Sequence, residues 1–231
     1  GRPTPIPGPR ELARAGSGAR GERSPVGSRG RHRWAPPGRR TPRLSATAPG
    51  AFILIGPAGA GCSSVARAIG SALGLPVLDL GQLVADELGT RPDLALVAVP
   101  ETEYRRVEAD TAARLLERAV SESVVVALGS GCLEARGVRQ GIGRLRLVNR
   151  GTHRVVALTC ATRALATRNG LDAPRSVALG TIHHQFVQML HARQAQCRDL
   201  ADIIIDTTTT TPDEAGQKVM NAVAAELSRH S

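Results

Sequence analysis

Residues 51–64 read AFILIGPAGAGCSS, and this stretch decides the fold. Phe52 to Ile55 is a short, wholly apolar run of the kind found in a strand buried on both faces. Gly56 to Gly61 is a glycine-rich turn, and apolar residues then recur at helical spacing from Ser63 to Leu73. The turn fits the phosphate-cradling pattern G-x-x-x-x-G-K-[ST] at every defined position but one. Gly56 and Gly61 are its glycines and Ser63 its hydroxyl, while Cys62 stands where the lysine belongs. In such a turn, backbone N–H groups face a phosphate, the helix N-terminus adds partial positive charge, and the hydroxyl ligates Mg²⁺. A neutral, short thiol cannot supply the lysine's charge. Loss of one preorganised electrostatic donor lowers enzymatic rates by roughly 10²–10³.

The pattern continues outward as alternating strands and helices. Strands are expected at 76–80, 123–128, 154–159 and 202–206, each close to a continuous apolar run. Helices are expected at 82–88, 101–119, 161–168 and 181–200. A last helix is announced by Thr211-Pro212-Asp213-Glu214, a capping box with proline at the first helical position. Residues 132–152 are expected to hold a helix and a loop, and 169–180 a long loop. This alternation predicts a three-layer α/β/α domain around a five-stranded parallel sheet. Ligands bind such sheets beyond the carboxyl ends of the strands. Gly56 to Ser64, Asp79 and the turn Gly129-Ser130-Gly131 are therefore expected on one rim.

Charge separates the chain into two parts. The 231 residues carry a formal net charge of +10. Residues 1–49 hold eleven arginines against Glu11 and Glu22, and the remainder is nearly neutral. The first 49 residues are rich in Gly, Pro, Ser and Arg and poor in apolar side chains, so a disordered tail is expected there. Its prolines spoil the amphipathic helix of an organelle transit peptide, and it has no apolar core of a secretory signal. Nucleic-acid binding is expected, if at all, only weakly through this tail. No apolar run approaches the ~20 residues that span a bilayer, so no membrane partner is expected. Cys62, Cys132, Cys160 and Cys197 form no metal-binding spacing, and free thiols in a reducing, cytoplasmic compartment are expected. His183, His184 and His191 are read as helix-surface residues.

Five short motifs, in order, resemble the shikimate kinases, small P-loop kinases that phosphorylate the 3-hydroxyl of shikimate with ATP and Mg²⁺. The loop Gly56-Pro57-Ala58-Gly59-Ala60-Gly61-Cys62-Ser63 is similar to that family's Gly-x-x-Gly-x-Gly-Lys-Ser/Thr. Asp79-Leu80-Gly81 stands where the family has Asp-Ser/Thr-Asp. Tyr104-Arg105-Arg106-Val107-Glu108 resembles Phe-Arg-x-x-Glu, and Gly129-Ser130-Gly131 resembles a Gly-Gly-Gly turn. Arg193, with Cys197 four residues on, resembles an Arg-x-x-x-Tyr element, and Arg175 corresponds to a lid arginine. The resemblance implies that Gly56, Gly59, Ala60, Gly61, Cys62, Ser63 and Ser64 hold nucleotide phosphates. It implies that Arg168 stacks on adenine and that Ser63 and Asp79 serve Mg²⁺. It also implies that Arg105, Arg193 and residues 129–131 bind an anionic, shikimate-like small molecule, and that Arg175 acts in catalysis.

Two family groups next to the chemistry are replaced: the phosphate lysine by Cys62, and the aspartate holding the substrate hydroxyl by Gly81. Three readings stay open on the sequence: a shikimate kinase or a close functional relative; a catalytically impaired pseudokinase that binds an anionic ligand or partner; and a P-loop kinase for another small hydroxy-acid. A monomer is expected in each case.

Overall fold

In the computed structural model, residues 50–148, 154–170 and 177–229 are described; the expected tail at 1–49 lies outside them. Alternate residues of each central strand point to opposite faces, and both faces are apolar. In β1 (Phe52–Ile55), Ile53 and Ile55 enter one core while Phe52 and Leu54 enter the other. β3 (Val125–Ala127) and β4 (Arg154–Thr159) divide in the same way: Val126, Val155 and Ala157 face one side, Val125, Val156 and Leu158 the other. A sheet apolar on both faces needs a helical layer on each.

Those layers are present. α2 (Leu80–Glu87), α4 (Glu101–Ser121) and α5 (Arg136–Val148) cover the first face through Val84, Leu115, Leu116, Ile142 and Leu145. α1 (Cys62–Leu73) and α8 (Pro212–Arg229) cover the second through Val65, Ile69, Ala215 and Val219. α6 (Thr162–Arg168) adds Leu165 to the second core. α7 (Val177–Leu200) contributes to both, Leu190 to the second and Cys197 to the first.

With β2 (Val77–Asp79) and β5 (Ile203–Asp206), the strand order is β2-β3-β1-β4-β5, all parallel. The register aligns Asp79 with Ala127, Ala127 with Leu54, Ile55 with Ala157, and Thr159 with Asp206. The carboxyl ends thus share one rim, and the three-layer α/β/α expectation holds. The capping box also forms: Thr211 N–H donates to Glu214 Oε2 (2.8 Å), and Glu214 N–H donates to Thr211 Oγ1 (3.3 Å).

Boundaries shift by a residue or two at several elements, and three differences stand out. α2 begins at Leu80, two residues earlier than expected, because Asp79 is its N-cap and accepts the Gly81 N–H at 3.1 Å. A short α3 (Ala95–Ala98) lies where no element was expected. α7 already runs from Val177, inside the stretch expected as a loop to residue 180.

Leu116, on α4, is fully buried in the first core, where it lies against Gly141 of α5. Leu116→Ala is expected to cost about 2–5 kcal/mol of folding stability, measurable by urea denaturation with an unchanged m-value.

Candidate active site

The turn after β1 is shaped by a close approach. A Cβ on Gly56 would stand 2.8 Å from the Leu158 carbonyl oxygen and 3.2 Å from Cys62 Sγ. The chain then passes through Gly59 and Gly61, both at positive φ (84° and 97°), a conformation glycine adopts without steric cost. Gly61 is the N-cap of α1 and offers no side-chain cap, so the first-turn N–H groups, at Cys62, Ser63 and Ser64, have no capping side chain. This is the arrangement that receives an anion at a helix N-terminus.

Cys62 opens α1, half-buried. Burial pushes its thiol up to about 12; the neighbouring Cys197 adds to the rise, and the N–H groups of Gly129 and Cys62 itself oppose it. At neutral pH the residue is an uncharged thiol, so it replaces the lysine neither by position of charge nor as a thiolate nucleophile.

A cavity of about 290 Å³ lies beside the loop. Gly59, Ala60, Gly61, Ser64 and Arg168, all expected at the nucleotide site, line it. Thr207, Thr210, Thr211 and Pro212, for which the sequence suggested no role at the site, form much of the rest of the wall. The signal was there in its place on the rim, directly after β5. Thr210 Oγ1 is buried without a hydrogen-bond partner, an oxygen that a polar ligand group would satisfy. Arg168 is also held here, its guanidinium donating to Gly59 O (3.0 Å), Thr207 O (2.9 Å) and Thr208 O (3.3 Å).

Across the rim, the turn after β3 meets two arginines. Arg193 Nη1, from α7, donates to Ser130 O at 3.1 Å. Arg105 Nη1, from α4, donates to Glu108 Oε2 at 2.9 Å, and Glu108 is itself buried. Glu108 Oε1 comes so close to Gly131 that a Cβ there would stand 2.5 Å from it and 3.1 Å from Arg105 Nη1. The third residue of the turn is glycine so that this ion pair can lie against it. Gly129, at φ 69°, faces the phosphate loop, with its Cβ position 4.0 Å from Gly56 O. The loop, the 129–131 turn, Arg105 and Arg193 are therefore brought together. Arg175 lies outside the described residues.

Asp79 is at the strand end as expected, but its carboxylate is already engaged. Oδ1 takes the Gly81 N–H, and Oδ2 lies 3.7 Å from Arg67 Nη1. A Cβ on Gly81 would meet only Asp79 Oδ1, at 3.5 Å, so the site has room for the side chain it lacks. Asp79 and Ser63 are hard oxygen donors, the chemistry that suits Mg²⁺. His191 Nε2 lies 3.2 Å from Thr162 Oγ1 and His184 Nε2 3.0 Å from Gln188 Nε2. Among the described residues, no group of three His, Cys, Asp or Glu side chains could hold a metal ion. No described helix is long and apolar enough to cross a membrane.

The shikimate kinase family model matches residues 58–224. The shikimate kinase of Thermobifida fusca (strain YX) is 30% identical over 173 residues, covering 75% of this chain and 94% of that protein. The shikimate kinase of Xanthomonas euvesicatoria pv. vesicatoria (strain 85-10) is 27% identical over 177 residues, covering 76% and 92%. Among solved structures, the shikimate kinase from Acinetobacter baumannii in complex with shikimate superposes with a TM-score of 0.60 at 20% identity, over 77% of this chain and 94% of that one. Fold, loop and rim thus agree with the sequence relationship, and the chain belongs to the shikimate kinase family.

Proposed function

We propose that residues 50–231 bind ATP with Mg²⁺ at the 56–64 loop and an anionic hydroxy-acid of the shikimate type between Arg105 and Arg193, and transfer phosphate between them slowly. One observation carries this reading: an uncapped, glycine-shaped anion site and two arginines meet across the turn Gly129–Gly131. Family membership supplies the substrate class and the cofactors.

In this reading each group has a physical task. The N–H groups of the loop and of the first turn of α1 bind phosphate oxygens. Pro212, Arg168 and the Thr210 hydroxyl form the wall against which the base rests. Arg105 and Arg193 offer planar, permanently charged donors that suit a carboxylate. Glu108 fixes the Arg105 fork, and the Ser130 carbonyl fixes that of Arg193. Ser63 and Asp79 would hold Mg²⁺, which neutralises phosphate charge when bound. Arg175 is assigned to charge stabilisation by its family position. Phosphoryl transfer depends on positioning and charge stabilisation more than on covalent help from the protein. The neutral Cys62 weakens the second of these and Gly81 the first. A monomer in the cytoplasm accompanies this reading, the compartment being supported by four free cysteines. The basic tail gives nucleic acid at most a weak hold.

Thermal denaturation with ATP·Mg²⁺ and with shikimate tests binding, and a coupled ADP-release assay tests transfer. Each ligand at ~100 times its Kd is expected to add about 2.7 kcal/mol to stability. Absence of any shift with either ligand would overturn the site assignment. Cys62→Lys combined with Gly81→Asp is expected to raise kcat by roughly 10²-fold or more, since the pair restores a positive charge at the loop and a carboxylate where Gly81 has open space before it. Arg193→Met is expected to raise the KM for shikimate by roughly 10–100-fold while leaving the Kd for ATP unchanged; equal losses for both ligands would place Arg193 outside the substrate site.

A further inference from the structure

Three successive carbonyls of the phosphate loop are held by side chains from outside it. Asn169 Nδ2, just beyond α6, donates to Ala58 O at 3.1 Å. Arg168 Nη1, the last residue of α6, donates to Gly59 O at 3.0 Å. Thr207 Oγ1, immediately after β5, lies 2.9 Å from Ala60 O. The Thr207 hydroxyl has a second neighbour, Thr159 O, at 3.1 Å. Thr159 O is satisfied without the hydroxyl, since it also receives the Thr207 N–H at 2.8 Å, and the shorter contact, to Ala60 O, is the one the hydroxyl proton serves.

The anchors are themselves tied together. Arg168 Nη2 donates to Thr207 O, Thr208 N–H donates to Asp206 Oδ1 (2.7 Å), and Ala161 N–H donates to Thr208 Oγ1 (2.9 Å). Both ends of α6 are thereby fastened to the turn between β5 and α8. Asn169 Nδ2 also donates to Leu165 O (2.7 Å), which fixes its rotamer against the end of α6.

A trans peptide points its carbonyl and the following N–H in opposite directions. Holding the carbonyls of 58, 59 and 60 outward therefore turns the N–H groups of Gly59, Ala60 and Gly61 the other way. Ala60 N–H closes back on Pro57 O (3.0 Å). Those of Gly59 and Gly61, the two residues at positive φ, are aimed to the concave side of the loop.

We propose that Thr207 and Asn169, together with Arg168, are positioning residues for the nucleotide phosphates: they aim the loop's N–H groups, and in a chain whose loop carries Cys62 instead of lysine, phosphate affinity depends on that aim. The proposal rests on the reading of the loop as a nucleotide site. A lysine is a mobile charge that finds phosphate over a range of loop shapes. Backbone N–H groups bind only where they already point, so the cost of a slack loop falls directly on affinity. Thr207 is the strongest member, being 3% exposed, whereas Arg168 and Asn169 work at the surface.

The test uses the full chain and titration calorimetry with ATP·Mg²⁺ and, separately, inorganic pyrophosphate, well below the melting temperature of each variant. Thr207→Val keeps the shape and removes the hydroxyl donor, Thr207→Ser restores the donor, and Asn169→Ala removes the amide. Thr207→Val and Asn169→Ala are expected to weaken both ligands by about tenfold, the worth of one hydrogen bond. Thr207→Ser is expected to bind like the unaltered chain. In the coupled assay the KM for ATP rises in the two weakened variants while kcat at saturation stays within about twofold, a split that a general loss of structure does not give. Folded Thr207→Val and Asn169→Ala that bind both ligands with unaltered affinity would overturn the clamp alone. If Thr207→Val does not fold, Asn169→Ala decides by the same criterion, its side chain being exposed. An unaltered chain that binds neither ATP nor pyrophosphate overturns the nucleotide reading and the clamp with it.

Discussion

At Gly56 the central strand leaves the sheet beneath the Leu158 carbonyl, and a Cβ there would stand 2.8 Å from that oxygen. Every other feature of the rim follows from this exit. The chain must turn within a few residues to bring α1 back over the sheet, where Val65 and Ile69 close one core. The turn passes through two glycines in a conformation that other residues rarely adopt, which exposes backbone N–H groups where the sheet's carboxyl edge opens. A side chain at Gly56 would lift the loop from β4 and part it from the 129–131 turn. The anion site and the packing of β1 against β4 are thus one geometric problem with one solution.

The electrostatics of the rim are unevenly distributed. Positive charge is concentrated on the side of the 129–131 turn, where Arg105 is partly offset by Glu108 and Arg193 is oriented by a neutral carbonyl. On the phosphate side, the residue best placed to carry charge is a thiol kept protonated by burial. Arg168 lies close by, yet its donors are engaged with three backbone carbonyls. Asp79 faces Arg67 and caps α2, so its negative charge is partly neutralised before any cation arrives. The rim is thus better furnished with shape and with arginines beside the 129–131 turn than with positive charge beside the 56–64 loop.

Much of this was legible in the residues. Apolar runs such as Phe52–Ile55 and Arg154–Thr159 identify strands buried on both faces, and the Thr211–Glu214 capping box marks the start of α8 to the residue. The loop glycines followed from their spacing, and the grouping of Arg105 and Arg193 with the 129–131 turn from the resemblance to the shikimate kinases. The start of α2 was missed because Asp79 was read for its charge and not for its capping oxygen. The threonines after β5 were missed for a different reason. Their role depends on carbonyls more than a hundred positions earlier, as with Thr207 and Ala60, and no local pattern encodes that distance. Likewise, the resemblance placed Arg168 at the nucleotide site, but its bonding to loop carbonyls required the packed structure.

α7 has a mechanical property set by two adjacent residues. Arg193 reaches the turn after β3, and Gln194, itself buried, donates to Cys160 O at the end of β4 at 2.8 Å. These bonds grip the helix in its C-terminal third, close to where Cys197 enters the core. From Gln194 back to Val177 the helix extends about 25 Å at 1.5 Å per residue. It is therefore a long rod whose fulcrum is the turn after β3. A tilt of about 5° at the fulcrum carries the far end through about 2 Å, by the geometry of a rod of that length. Angular changes too small to disturb the core become displacements of atomic size at the start of α7.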